Sequence, residues 1–301
     1  VNPAVSVVIV NWNASRELAG CLGSLIEHHS QLDLRITVVD NASTDGSVEM
    51  IRNKFPGVGI IENRENRGFA AANNQAFAVP GKSDFVLVLN PDIFFVQSTL
   101  EILIDFFTER PDVHVLTPRI LGPEGRLQAG CRRRDPEPLS MLARLLGLDL
   151  IFPRSRKFAG YTYGDVPEDR VHEIQAASGS FLFMRRKVLD KVGGFDERFF
   201  LYAEDLDWCL RVREEGFSIY YYPAASVFHL KGASSVKRPL KSQWYLHYTA
   251  FLYLEKNRAS DYPLILRMLL YFFLAIHFIP AALWSLAGSA VVRFGKTKEN
   301  R

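Results

Sequence analysis

Strand-like and helix-like segments alternate through the first 120 residues, and that alternation constrains the fold more than any other feature of the chain. The runs "VSVVIV" (5–10), "RITVVD" (35–40), "VGIIE" (58–62) and "FVLVLN" (85–90) are short, continuous and rich in β-branched residues. Such runs suit parallel strands buried on both faces. Between them lie "SRELAGCLGSLIEHH", "SVEMIRNKF" and "GFAAANNQAFAV", which have helical length and a helical spacing of apolar positions. Strand–helix alternation predicts an open, doubly wound α/β sheet with ligands at the carboxyl ends of its strands. Three of the four runs end in polar residues: Asn11 and Asn13, Asp40 and Asn41, Asn90 and Asp92. Those ends share one edge of the sheet, which is the first pointer to a site.

The loop after the second run, "DNASTDGS", offers Ser43, Thr44 and Asp45 as helix caps ahead of an apolar stretch. Asp40, still at the strand end, is less easily explained by capping. From about residue 121 to 171 the pattern loosens, and "RSRKFAGYTYGDVPED" reads as loop. Order returns with "ASGSFLFMRRKVLDKVGGFDERFF", a strand, a short helix and a glycine-marked turn. An acidic-headed helix closed by Gly216 and a further strand follow, in "AEDLDWCLRVREEGFSIYYYP".

Composition narrows the class. A net charge of +3 is too small to argue for nucleic acid. Three cysteines, Cys21, Cys131 and Cys209, show neither a C-x-x-C pair nor zinc spacing, which fits a reducing compartment. The chain goes almost at once into "AVSVVIV", which reads as a buried strand rather than a secretory leader. The C-terminal stretch "MLLYFFLAIHFIPAALWSLAGSAVV" (268–292) has His277 as its only side chain that titrates near neutral pH and is followed by Arg293, Lys296 and Lys298. A run of about 20 apolar residues can cross a bilayer core. Pro280 would kink or split it, which also suits a re-entrant or interfacial helix pair. A helix docked on the catalytic domain or on a second copy is the other reading. In a span, the basic flank marks the cytoplasmic side.

Asp92 follows a buried run and Pro91. A carboxylate there can hold a divalent ion, because Mg²⁺ takes only one or two protein carboxylates when substrate phosphates supply other oxygens. Turns use the same residues, so "NPD" alone is weak. Glu204, Asp205 and Asp207 crowd the first turn of a helix, where the macrodipole favours acids in any case. Glu204 and Asp205 nevertheless adjoin directly, and one can serve as a general base with a pKa raised by burial and like charge. His229 ends the apolar run of "ASVFHLKGASS" and, as a ligand beside Asp92, suits Mn²⁺ better than Mg²⁺.

Taken in order over roughly 230 residues, "VVIVNWN", "VVDNASTDGS", "ENRGFAAANN", "LNPD", "FDERFFLYAEDLDWCLR" and "VFHLKGASS" resemble the inverting, nucleotide-sugar-dependent glycosyltransferases of family 2, in particular their rhamnosyltransferase-like branch. The resemblance implies the GT-A fold, a Rossmann-like nucleotide-binding open sheet, here with a C-terminal helical, apolar extension. It implies a domain over 1–235, with a nucleotide-sugar half (1–120) and an acceptor half (121–235), and a membrane-associating or dimerising region over 236–301. It matches the family's D-x-D metal motif to Asn90, Pro91 and Asp92, with asparagine in place of the first aspartate. Asp92 then carries the metal contact, and Asn90 faces ribose or phosphate. Asp40 matches the residue that bonds the base's imide N–H, and Asn11 and Asn13 lie along the nucleoside. Asn66, Arg67 and Gly68 match the segment closing over base and phosphates. Asp205 matches the catalytic base, with Glu204 beside it, and His229 matches a late metal ligand. Trp208 and Arg211 are weaker candidates for the acceptor side.

The implied reaction is a single displacement of a nucleoside diphosphate by an acceptor hydroxyl, assisted by Mn²⁺ or Mg²⁺. The donor is a dTDP- or UDP-sugar, the sugar rhamnose or another deoxyhexose, and the acceptor a lipid-linked or cell-surface glycan at the cytoplasmic face of a bacterial membrane. Nucleic acid is not an expected partner; a homodimer is a possible one. The alternatives are a nucleotidyltransferase, whose Gly-rich first loop "NWNAS" does not supply, and a processive polysaccharide synthase, whose Q-x-x-R-W is absent from "SQWYLHY" (242–248). A binding module without activity would be expected to lose Asp92, Asp205 or His229. The basic residues of "CRRRDP" (131–136), with Arg154, Arg156 and Lys157, read as solvated surface or as contacts for lipid head groups or a lipid diphosphate. Lys231, Lys237, Arg238 and Lys241 form a second such stretch.

Overall fold

The structure is a computed structural model and describes residues 3–79, 81–230 and 239–299. The expected division at 235/236 and the side chains of Lys231, Lys237 and Arg238 lie outside the described residues.

The first half follows the alternation. β1 (Ala4–Asn11), α1 (Ser15–His28), β2 (Asp33–Asp40), α2 (Ser47–Lys54), β3 (Gly59–Glu62), α3 (Phe69–Phe77) and β4 (Phe85–Leu89) succeed one another. β3, β2, β1 and β4 lie side by side, all parallel. Every residue of β4 is buried, as its unbroken apolar sequence requires, since helices or strands cover both faces. Each fully buried Val, Leu or Phe side chain there contributes roughly 1.5–3 kcal/mol relative to exposure.

The second half makes the sheet mixed. β5 (Ile93–Phe95), α4 (Thr99–Glu109) and β6 (Val115–Leu121) lead into short elements. These are β7 (Arg132–Arg133), α5 (Pro138–Leu145), α6 (Leu148–Ile151), α7 (Arg156–Ala159), β8 (His172–Glu173) and β9 (Ala176–Ala177). The stretch from 121 to 171, where the pattern loosens, holds one 8-residue helix and two single α-helical turns, of which only Arg156–Ala159 falls in the segment read as loop; all are too short for periodicity to reveal. β10 (Phe181–Arg185), α8 (Arg186–Val192), α9 (Glu204–Glu214) and β11 (Ile219–His229) follow as expected. Among the described residues the main sheet runs β3-β2-β1-β4-β10-β6-β11-β5, with β8 on β11. β10 is antiparallel to both β4 and β6. Phe85, Phe107 and Phe183 pack together in the core, with ring centroids 5.3–5.6 Å apart.

α10 (Pro239–Asn257) and α11 (Leu264–Glu299) form a helical hairpin. α11 runs through Pro280 without interruption, so the expected split does not occur. Its segment Leu264–Leu283 is long and apolar enough to cross a membrane, with a mean hydropathy of 2.0, and of its residues only Ala282 is buried. The hairpin is tied to α9 by polar contacts. Lys256 Nζ lies 2.6 Å from Asp207 Oδ1 and 2.8 Å from Asp196 Oδ2. Asn257 donates to the same Asp207 oxygen at 3.0 Å. Asp135 completes the tie, accepting from Arg213 at 2.5 Å and from Arg258 at 2.7 Å.

Candidate active site

The register of β1 on β2 places Asn11 opposite Asp40. Asn11 Nδ2 donates to Asp40 Oδ1 at 2.9 Å and to Ser43 Oγ at 3.1 Å. Asp40 Oδ2 accepts from the Ser43 amide at 2.8 Å. Asn13, held at φ 52°, donates its amide to Ser43 Oγ at 2.8 Å and accepts the Thr44 amide at 2.7 Å. Ser43 and Thr44 thus stitch two strand ends together instead of capping α2, and only Asp45 reaches the start of that helix, through the Ser47 amide. Each Asp40 oxygen has one internal donor, so lone pairs remain for a ligand's N–H.

Asn41 has a part that sequence reasoning missed. Its Nδ2 donates to the Gly68 carbonyl at 3.0 Å, and its Oδ1 accepts from Asn63 Nδ2 at 2.9 Å. Asn66 Oδ1 accepts the Gly68 amide at 2.9 Å. Gly68 sits at φ +85°, and a Cβ there would lie 2.5 Å from the Phe200 carbonyl oxygen. The Phe69 amide bonds that same oxygen at 2.8 Å. Residues 66–68 are therefore held between the end of β2 and the loop that precedes α9.

At the end of β4 the chain turns through Asn90 to Asp92 into β5, whose Ile93 pairs with His229. The Leu230 amide donates to the Asp92 carbonyl at 3.0 Å. This pairing brings Asp92 Oδ1 to 3.0 Å from His229 Nε2, although 137 residues apart in sequence becomes adjacent only through β11. Gln128, not anticipated, grips the histidine twice. Its Nε2 donates to the His229 carbonyl and its Oε1 lies on His229 Nδ1, both at 2.9 Å. An amide oxygen can only accept, so Nδ1 carries a proton and Nε2 is the ring nitrogen turned toward Asp92. An outer hydrogen bond of this kind fixes the ring of a metal-ligating histidine. The carboxylate and imidazole fit a divalent cation as two of its ligands, with the remaining positions open to water or phosphate oxygens. Among the described residues no larger cluster of His, Cys, Asp or Glu suited to a metal occurs.

α9 begins in an unusual way. Tyr202 and Ala203 both take positive φ, 72° and 62°, in succession. Non-glycine residues rarely do so, and such strain collects at functional sites. The double left-handed turn sets Glu204 and Asp205 at the helix start, both buried. Asp205 Oδ2 accepts from Arg133 Nη2 and from the Gly179 amide, each at 2.7 Å, while Oδ1 accepts only the adjacent Leu206 amide, at 2.8 Å. Glu204 differs. Its Oε2 is buried without a hydrogen-bond partner among the described residues. Burial, then the neighbouring Asp205 charge, push its carboxyl well above the usual range.

The two acidic motifs meet through two residues of backbone. Gly179 donates to Asp205, and Ser180 accepts the Asn90 amide at 3.0 Å. The "ASGS" segment before β10 is therefore the bridge between them, a role that four small residues do not advertise. Arg133 was also missed. It reaches Asp205 because β7 pairs with β9, setting Arg133 opposite Ala176. The basic triplet is turned inward, contrary to the reading as solvated surface or lipid contact. Arg132 donates to the carbonyls of Val166 and Pro167, and Arg134 pairs with Asp165 at 2.7 Å. Arg154, Arg156 and Lys157 do lie exposed. Trp208 donates to the Gly193 carbonyl and Arg211 to those of Val192 and Gly194, bracing that turn, while Arg211 Nε also donates to Asp207 Oδ2 at 3.1 Å.

Residues 6–193 match the glycosyl transferase family 2 profile, and residues 163–294 match a glycosyl transferase family group 2 profile. The chain belongs to glycosyltransferase family 2. Among its curated relatives in the family is N-acetylglucosaminyl-diphospho-decaprenol L-rhamnosyltransferase of Mycobacterium tuberculosis, 28% identical over 298 residues, 95% of this chain and 90% of that protein. Rhamnosyltransferase WbbL of Escherichia coli is 25% identical over 201 residues, 64% of this chain and 71% of that one. The fold agrees: a mannosyltransferase from Pyrobaculum calidifontis, solved with GDP-Man and Mn²⁺, superposes with a TM-score of 0.57 at 18% identity, covering 97% of this chain and 76% of that one. GalNAc-T7, solved with UDP, GalNAc and Mn²⁺, gives 0.58 at 15% identity, covering 89% of this chain and 53% of that one. The architecture is GT-A with a C-terminal apolar helix.

Proposed function

We propose that this glycosyltransferase moves rhamnose, or another deoxyhexose, from a nucleoside diphosphate to a hydroxyl of a lipid-linked glycan, with inversion, at the cytoplasmic face of a membrane. The observation that carries the reading is the connection from Asp205 through Gly179 and Ser180 to Asn90, which joins a base candidate to the Asp92–His229 pair. The rhamnosyl donor and lipid-linked acceptor rest on the curated relatives' names.

The base of the donor nucleoside would lie over Asn11, Asn13 and Asp40, and residues 66–68 would close over it. Asp92 and His229 would hold Mn²⁺ or Mg²⁺, which supplies positive charge against the departing diphosphate. Asn90 would face ribose or phosphate. Asp205 is the general base. Arg133 and Gly179 fix its Oδ2, leaving Oδ1 as the freer oxygen to take the proton of the acceptor hydroxyl. Glu204, its carboxyl pushed up by burial, holds its own proton at neutral pH and is suited to donate a hydrogen bond. Its role is on the acceptor side. Residues 1–235 would form the transferase unit and 236–301 the membrane-associating unit, whose exposed apolar face is also one on which two copies can pair.

The test is transfer from dTDP-rhamnose and UDP-sugars to a prenyl-diphosphate-linked sugar, with Mn²⁺, Mg²⁺ or a chelator, and product anomeric configuration read by NMR. Retention of configuration, or an unchanged rate in chelator, would remove the corresponding part of the reading.

A further inference from the structure

Between the base-bearing helix and the C-terminal hairpin lies a cavity of about 490 Å³, within the size range of small-molecule sites. One side is polar and belongs to the site already described: Arg133, Glu204 and Asp205. The other walls are Leu142 of α5, Ala250 of α10, and Leu266, Leu270 and Phe273 of α11. We propose that this cavity binds the hydrocarbon chain of the acceptor lipid next to its sugar head group. The proposal rests on the lipid-linked acceptor reading and adds where the lipid sits.

Three observations favour a hydrocarbon chain. The walls away from the carboxylates are mostly aliphatic and aromatic carbon, with a few hydroxyls such as those of Thr249 and Tyr253, and a sugar or nucleotide placed there would leave most of its hydroxyls without partners. The charge that does line the cavity is already matched, since Arg133 is paired with Asp205, so a neutral chain fits where a free anion does not. The outer wall is the segment of α11 that can enter a membrane. The same helix exposes Ile265, Met268, Phe272, Ile276 and Ile279. A chain leaving a bilayer along that helix reaches the cavity without crossing water. At the other side Glu204 Oε2, buried and unpartnered, faces the position of the head group. A lipid anchored here brings its sugar to Asp205.

The experiment uses the full chain in detergent with two acceptors that share one sugar diphosphate, one bearing a farnesyl and the other a methyl group. The expected result is a kcat/KM at least about 100-fold higher for the farnesyl acceptor, since each buried methylene adds to affinity. Ala250→Trp and Leu270→Trp, which fill the cavity, should cut that advantage at least tenfold while leaving the methyl acceptor's rate within about twofold. An advantage that survives in both variants would overturn the proposal. Photolabelling of wild-type protein with a diazirine-bearing prenyl diphosphate covers the case in which the variants do not fold. Labels on α5, α10 or α11 at the cavity support it, and labels only on the outer face of α11 overturn it. Displacement of the label by phosphatidylglycerol as efficiently as by the prenyl diphosphate would assign the cavity to bilayer lipid, also overturning it. Transfer to neither acceptor, with cavity labelling intact, would instead refute the functional reading and leave the lipid site standing.

Discussion

The proposed donor side and the proposed acceptor side of this glycosyltransferase are built in opposite ways. At the ends of β1 and β2, Asn11, Asn13, Asp40 and Ser43 hydrogen-bond one another within two adjacent strand ends. Such a network is rigid before any ligand arrives, which limits the entropy cost of binding. At the start of α9 the carboxylates are instead supported from afar, by Arg133 and Gly179, and Glu204 has no partner for one oxygen. Local pairing suits the proposed nucleotide platform, and long-range support suits the proposed reactive edge, where Glu204 Oε2 is left without a partner among the described residues.

The sharpest break between the two sides is Asp205→Asn. Transfer should fall by ~10²–10⁴-fold, the usual worth of a general base. The rise in melting temperature on adding nucleoside diphosphate and Mn²⁺ should persist, because the donor platform is untouched. A wild-type rate in this variant would dissolve the distinction. Arg133→Ala should be felt as stability. Removing one partner of a largely buried ion pair typically costs about 3–5 kcal/mol, much of it from the charge left behind. Urea denaturation would show it, and adding Asp205→Asn should recover part of the loss.

On the donor side, Gln128→Ala frees the His229 ring, and loss of such an outer hydrogen bond typically weakens metal affinity about 10–100-fold. Titration of activity against Mn²⁺ would read this as a shifted midpoint at nearly full saturating rate. Gly68→Ala should be smaller and structural. A side chain at φ +85°, with Phe200's carbonyl 2.5 Å from its Cβ, should cost about 1–3 kcal/mol and loosen the loop over the donor, raising the donor KM.

The same contrast explains what the sequence revealed. The four parallel strands were legible because buried runs have one period and one length, and the strand-end polar residues followed from topology. Asp92 and His229 were legible only as a pair of suspects, since β11 has to return beside β5 to join them. Gln128, Arg133 and Gly179 left no signal. Each acts through a contact made between distant, irregular segments, where a glutamine, an arginine or a glycine is ordinary. Asp207 was visible as a third acid in the same helical turn, yet it faces the hairpin and binds Lys256. Spacing along a helix told which acids were close, and packing told which of them shared a job.

The effect that needs a pH series to be seen isolates Glu204. Burial first, then the Asp205 charge, lift its carboxyl from 4.5 to about 8 in the folded chain, while Arg133 acts in the lowering direction. Below the unfolded value both states carry the proton, and the residue adds no pH dependence. Between 4.5 and about 8 the unfolded chain releases a proton that the folded chain keeps, so stability falls as pH rises. Above the folded value both are ionised and the fall ends. Glu204→Gln keeps the shape and cannot ionise. Its melting temperature relative to wild type should therefore climb through that window and level off beyond it, with other titrating groups cancelling in the difference. If acceptor-side support is what leaves Glu204 unsatisfied, the climb should shrink when the prenyl-linked acceptor is bound, because an acceptor hydroxyl then partners Oε2. A difference curve that stays flat would mean that water already reaches Glu204, and that the acceptor side is as well satisfied as the donor side.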